Sequence, residues 1–183
     1  MTLNTSDVLD LSKENIKPLR QGRKAAQLKT ALQAQSDPET YQQLTKQREK
    51  LEYAIRMYDG DDPLDPYYNY VIWLEQSFPT NGRENNLILL LEDILLKFKD
   101  CKKYKQDPRL IQLLIKYINV QSNPLELYQL VYNQGLGTMC SIFYKAWAEE
   151  LDKMNDFKRA DQIFQLGLRC HAEPINELQE AHM

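Results

Sequence analysis

Tyr144-Lys145-Ala146-Trp147-Ala148-Glu149-Glu150-Leu151 and, after a short polar break, Ala160-Asp161-Gln162-Ile163-Phe164-Gln165-Leu166-Gly167 are the stretches that decide the fold. In the first, Tyr144, Trp147, Ala148 and Leu151 follow the three-and-four spacing that gathers side chains on one face of a helix. In the second, Ala160, Phe164 and Gly167 do the same, with small residues flanking an aromatic one. Small side chains are needed where two helices touch, and aromatic rings fill the wider gap to the next pair. The two stretches therefore predict a helix–turn–helix pair over 138–153 and 157–170.

The same aromatic–large–small–apolar order is that of a tetratricopeptide (TPR) unit, with Pro174 following about two positions late. Tyr70, Trp73, Leu74 and Ser77 echo the first helix of such a unit. Trp73, Leu110 and Trp147 recur at equal intervals of about 37 residues, against roughly 34 for that repeat. A generic helical bundle shares part of this spacing; a solenoid accounts for more of it. The predicted fold class is all-α: a TPR-like helical repeat array of about three helix pairs, preceded by an N-terminal arm and a helix–loop–helix.

Working outward from the pair, punctuation by proline and glycine places the other elements. A helix over 19–35 carries Ala25, Leu28, Ala31 and Leu32 on one stripe. Ser36-Asp37-Pro38-Glu39 then reads as a helix start, with Ser36 as cap, Pro38 in the first turn and Glu39 closing a capping box. The helix that follows, over 38–58, has a seam of Leu44, Leu51, Ile55 and Tyr58. Asp59 to Pro63 is a turn. Further helices are predicted over 65–77, 86–99, 108–120 and 124–134, and Glu173-Pro174 opens a last one. The helix over 86–99 is apolar almost all round, so burial on more than one side is expected. Gly135 and Gly137 make a tight break. The organisation is a flexible arm over 1–18, a helix–loop–helix over 19–60 and the repeat array over 61–183.

A chain of 183 residues is long enough for one domain with a real core. A net charge of −3 gives no basic face for nucleic acid. The longest apolar run, Leu87 to Leu91, is far too short for a bilayer, and the polar, acidic opening does not suit a signal peptide. Cys101, Cys140 and Cys170 are widely spaced and odd in number, which suits reduced thiols of the cytosol or nucleus. No phosphate loop, metal cluster or catalytic constellation is evident, so neither a cofactor nor an enzyme is expected in this region. The eleven tyrosines lie mostly at core-type helical spacing.

Two features suit binding. Lys13-Glu14-Asn15 sets a cation, an anion and an amide side by side, which cannot share one face of a helix or strand. Such a triplet suits a turn with all three tips open to a partner, or simply a solvated linker. Leu9, Leu11 and Leu19 bracket it, and Pro18 keeps the chain after it out of helix. The second feature is the helix after Pro108. Ile111, Ile115 and Ile118 make one apolar stripe; Leu110, Leu114 and Tyr117 make another. One stripe suffices for packing. With Val120, Tyr128 and Val131 the second could receive a partner helix, or both could face neighbouring repeats. Lys97, Lys99, Lys102, Lys103 and Lys105 form a basic edge near one loop, suited to a helix C-terminus and to an acidic partner segment.

Several segments together carry a family resemblance. They are Leu11 to Asn15 with Pro18 to Arg23, Asp61 to Asp65 followed by Trp73, Tyr132 to Gly137 leading to Phe143-Tyr144 and Trp147 to Glu150, and Phe157 to Phe164 with Gly167 and Ala172-Glu173-Pro174. The chain closely resembles the N-terminal domain of the Bub/Mad family of spindle-assembly-checkpoint proteins, in the branch that carries a KEN box. The resemblance implies that Lys13, Glu14 and Asn15 dock as a pseudosubstrate on the WD-repeat coactivator (Cdc20 type) of the anaphase-promoting complex, inhibiting it within the mitotic checkpoint complex. It implies that the flanking helices touch a HORMA-type checkpoint protein (Mad2 type). It also implies that the array binds a short helical motif of a kinetochore scaffold (KNL/Spc type) through Leu114, Tyr117, Val120 and Val131, with Glu150 at the edge. Leu114 and Tyr117 depart from the residues usual there, Trp and Leu. The implied setting is nucleus and cytoplasm, with kinetochores in mitosis, and the resemblance is compatible with a kinase or kinase-like domain further along a longer parent. A generic TPR adaptor and a triplet that marks the protein's own degradation are the competing readings.

Overall fold

The structure, a computed structural model, describes residues 18–78 and 86–183. The Lys13-Glu14-Asn15 triplet lies outside the described residues. The described residues form nine α-helices: α1 (Ala25–Ala34), α2 (Pro38–Arg56), α3 (Leu64–Ser77), α4 (Leu87–Phe98), α5 (Pro108–Asn119), α6 (Pro124–Asn133), α7 (Ser141–Lys153), α8 (Phe157–Arg169) and α9 (Ile175–His182). A single 3₁₀ turn, Lys102–Tyr104, lies between α4 and α5. An all-α, TPR-like array is thus what the chain adopts. It divides into two compact units, Met1–Leu87 and Ile88–Met183.

In the first unit α1 packs on α2 and α3, and α2 packs on α3. The expected helix over 19–35 starts only at Ala25, because Gly22 stands at φ 81° in a turn whose amide bonds the Leu19 carbonyl at 3.0 Å. The cap of α2 is Asp37, not Ser36. Asp37 has the extended backbone of a capping position and accepts the Glu39 amide at 3.1 Å and the Thr40 hydroxyl at 2.6 Å. The Ser36 hydroxyl instead donates to the Gln33 carbonyl that ends α1. The α3 helix, with Trp73 in its sequence, groups with these two helices rather than with the later pairs.

The second unit is built around α7 and α8, the pair quoted first, with α9 against both. Trp147 stacks nearly parallel on Tyr128 at a centroid distance of 6.1 Å, and Phe143 lies 5.8 Å from Trp147 and 5.7 Å from Tyr128. These rings come from α6 and α7, so aromatics do bridge successive pairs. A side chain at Gly167 would stand 2.7 Å from Leu178 and 2.8 Å from the Tyr144 ring, which is why glycine sits where α8 meets α7 and α9. Gly135 and Gly137 adopt positive φ in the predicted break. Gln106 holds the loop that follows. Its amide donates to the Gly135 carbonyl at 2.8 Å, and its oxygen accepts the Met139 amide at 2.8 Å.

The expectation for α4 needs correction. Leu91, Ile94, Leu95 and Phe98 are buried, yet Leu89 is 64% and Leu96 70% exposed. Only one stripe of this apolar helix is covered, because a helix has 360° of surface and its neighbours occupy one side.

Candidate partner-binding groove

Asp107 caps α5 through the Arg109 amide at 2.9 Å, and Pro108 occupies its first turn. The helix then presents both apolar stripes. Ile111, Ile115 and Ile118 are fully buried, and so is Leu110. Leu114, at 7% exposure, is also largely covered. The second stripe is therefore mostly consumed within the unit, and what it leaves open is a pocket rather than a full helix-wide trough.

That pocket, about 150 Å³, lies between the end of α4, α5 and α6. Leu114, Tyr117 and Val131 line it together with Leu95, Leu127 and Leu136. A dry apolar space of this volume holds about one benzene-sized group, so it suits a single anchor side chain. Lys99 and Gln134 also line it. The Tyr117 hydroxyl donates to the Glu92 carboxylate on α4 at 3.0 Å, which ties α5 to α4 and orients the ring. Burial, then that carboxylate, raises the Tyr117 pKa above the usual phenol value, so the ring remains a neutral donor.

Of the five groove residues expected, three meet here and two do not. Val120 caps the C-terminus of α5, is 40% exposed and is not part of the pocket lining. Glu150 lies on α7, where its carboxylate pairs with Lys153 at 2.6 Å. Sequence spacing missed Lys99, Gln134 and the Tyr117–Glu92 bond. Lys99 was visible as part of the basic run, but nothing in the pattern joined it to α5. Elsewhere in that run, the Lys103 ammonium sits 5.3 Å from the centre of the Tyr104 ring.

The buried thiol of Cys140 donates to the Gln106 carbonyl, and burial pushes its pKa up to about 11, with Asp107 adding to the shift. Tyr144, buried nearby, donates to the Thr138 carbonyl at 2.7 Å, and burial raises its pKa. These are structural groups held neutral rather than activated nucleophiles. Among the described residues no cluster of three or more His, Cys, Asp and Glu is arranged to hold a metal, and no helix is long and apolar enough to cross a membrane.

Against known families, residues 46–168 match the model of Mad3/BUB1 homology region 1. The chain belongs to the Mad3/BUB1 family. It is similar to the human mitotic checkpoint serine/threonine-protein kinase BUB1 beta, 41% identical over 176 residues that make up 96% of this chain and 17% of that protein. It is also similar to the Arabidopsis thaliana mitotic spindle checkpoint protein BUBR1, with 31% identity over 94% of this chain and 44% of that one. The Schizosaccharomyces pombe checkpoint component mad3 is 30% identical over 96% of this chain and 57% of its own length. The chain thus spans less than two thirds of each of these relatives. Among solved structures, a chain of a mitotic checkpoint complex superposes with a TM-score of 0.82 at 29% identity, covering 99% of this chain and 85% of its own. The conserved N-terminal domain of BUB1 superposes with a TM-score of 0.68 at 28% identity, covering 80% of this chain and 77% of its own. The matched region is thus Mad3/BUB1 homology region 1, in the helical fold of the solved structures it superposes on.

Proposed function

We propose that this Mad3/BUB1-family chain inhibits the anaphase-promoting complex by competition. Lys13, Glu14 and Asn15 occupy the degradation-signal site on the WD-repeat coactivator, of Cdc20 type, as a pseudosubstrate. The helices that follow touch a HORMA-type partner of Mad2 type. Linking several weak contacts in one chain raises the effective concentration of each, so a docked triplet excludes substrate better than a free peptide would. The observation that carries the reading is the likeness, over 99% of the chain, to a component of a crystallised mitotic checkpoint complex, in a sequence that also has the triplet upstream of the helices.

Replacing Lys13, Glu14 and Asn15 together by Ala is expected to abolish coactivator binding and leave the thermal midpoint unchanged. Persistent binding overturns the reading. If the replacements lengthen this protein's own half-life and leave ligase activity untouched, the triplet is instead its own degradation signal.

The array is assigned the second role, docking on a kinetochore scaffold of KNL/Spc type in mitosis, with the protein otherwise nuclear and cytoplasmic. The pocket formed by Leu114, Tyr117 and Val131 supports this role, since it takes one apolar anchor of a short helix. Val120 and Glu150 belong to the proposed surface as flanking positions outside the pocket. A generic TPR adaptor that clamps an acidic C-terminus needs converging Lys, Arg and Asn side chains, whereas this pocket is apolar but for Lys99 and Gln134.

A further inference from the structure

The lysines over 97–105 have no part in the functions proposed so far. Lys97, Lys99, Lys102, Lys103 and Lys105 share that stretch with a single acid, Asp100, in a chain whose net charge is −3. Lys99 brings this local positive excess to the pocket beside α5, which it lines together with Leu95, one turn before it on α4. Lys99 is half-buried. A lysine so placed lays its four-carbon stem along apolar surface and keeps its ammonium in water at the mouth. Among the described residues no carboxylate pairs with that ammonium.

The site has a charge direction. On the Tyr117 side, the phenol donates to the Glu92 carboxylate. Glu92 precedes Lys99 by seven residues, about 10 Å along the axis of α4. An arriving carboxylate therefore meets a cation at one end and an anion at the other. The rim is apolar. Round α4 from Leu95, at about 100° per residue, Lys99 comes at about 40° and Leu96 at about 100° in the same sense. Leu96, 70% exposed, thus stands just beyond Lys99. On α6 the same count puts Leu130, 50% exposed, just beyond Gln134 and away from buried Tyr128. An anchor-sized pocket with an exposed leucine on each outer helix suits the apolar face of a helix. A surface built to track a phosphate backbone has no use for such a rim.

We propose that the pocket and Lys99 form one recognition site, which takes a helical segment of a partner carrying an apolar anchor and, one turn away, a carboxylate. This rests on the reading of the pocket as the scaffold-docking site and names the chemistry of the segment it selects. The anchor fills the space against Leu114 and Val131. The carboxylate, four residues along the same face of the segment, pairs with Lys99. Glu92 disfavours the segment lying the other way round.

The test is an NMR titration of the methyl-labelled full chain with four fourteen-residue helical peptides on an alanine–glutamine framework. Three carry phenylalanine at the seventh position and glutamate, glutamine or lysine four residues later. The fourth carries alanine and glutamate at those places. The Leu114 and Val131 methyls are expected to shift with every phenylalanine peptide. The glutamate peptide should bind about threefold tighter than the glutamine one and about tenfold tighter than the lysine one, as a half-exposed ion pair allows. Lys99→Gln is expected to remove that order and Lys99→Glu to invert it, each with an unchanged thermal midpoint. Salt at about 0.5 M should shrink the preference and spare the part due to phenylalanine. Equal affinity for the glutamate and glutamine peptides, with both methyls shifting, overturns the pairing and leaves the docking pocket standing. If no peptide shifts either methyl, pocket and pairing fall together. If the alanine–glutamate peptide binds as tightly as the phenylalanine–glutamate one, the basic edge acts without the pocket and the proposal is overturned.

Discussion

Two helices of this chain, α2 and α7, show opposite ways of being held. Nineteen-residue α2 buries only Thr40, while thirteen-residue α7 buries Ser141, Phe143, Tyr144, Ala146, Trp147, Ala148 and Leu151. The seam of α2, Leu44, Leu51 and Ile55, is half-exposed. Its side contacts are largely polar: Tyr70 donates to Glu52 at 2.7 Å, and the Arg48 guanidinium lies 5.5 Å from the Phe78 ring centre. The contrast teaches that helicity and burial are separate achievements. A long helix with a good cap and many helix-forming residues persists with a thin seam, whereas α7 is a helix whose stability resides in what surrounds it.

The predictions press on that contrast. Trp147→Ala removes the ring that stacks on Tyr128 and is expected to cost about 3–5 kcal/mol, read as a fall in the denaturant midpoint. A small effect would mean that the aromatic cluster is not the core of the second unit. Gly167→Ala forces Tyr144 and Leu178 apart and is expected to cost about 1–3 kcal/mol in the same assay. Leu51→Ala in α2 is expected to cost about 1 kcal/mol, the value for a side chain only half removed from water. A loss equal to that of Trp147→Ala would abolish the distinction drawn between the two helices. Thiol alkylation read by mass spectrometry sharpens it without mutation. Exposed Cys101 should react readily at pH 8, and buried Cys140 should stay unlabelled until the pH approaches 11 or the second unit opens.

The smallest effect concerns the cap of α2. The Thr40 hydroxyl and the Glu39 amide lower the Asp37 pKa below its ordinary value. A lowered carboxylate pKa contributes stability that is present above about pH 4 and is lost as pH falls through the folded value. Asp37→Asn should therefore flatten the acid limb of a stability–pH curve measured on α2 by hydrogen exchange. An unchanged limb would assign the acid sensitivity to other carboxylates.

Helix identity was largely legible because proline, glycine and Asp-Pro junctions act locally: Asp107-Pro108 and Gly135 with Gly137 lie where a reader of the sequence would place them. The errors share one cause. Ser36 and Asp37 both suit a cap, and only the extended backbone at Asp37 chose between them. The apolar faces of α4 and the double stripe of α5 were visible as patterns, but a pattern does not say how much of it the neighbours cover. Leu89 and Leu96 proved exposed and Leu110 buried for that reason. The pocket at Leu114, Tyr117 and Val131 was half legible, since spacing along α5 brings Leu114 and Tyr117 together while Val131 arrives from α6. Val120 and Glu150 fall outside its lining because a helix end and a different helix carry them.

By itself the sequence determined that the chain is helical, where most helices begin and end, and that α7 and α8 form a tight pair, because capping, spacing and side-chain size act within a few residues of one another. Only the tertiary structure decided which apolar stripes are spent on the core, that Lys99 meets α5 and α6 at one pocket, and that an anchor-sized opening remains beside α5. Those outcomes depend on which surfaces meet at long sequence separation, and the pairing of surfaces is a property of the packed chain rather than of any one stretch in it.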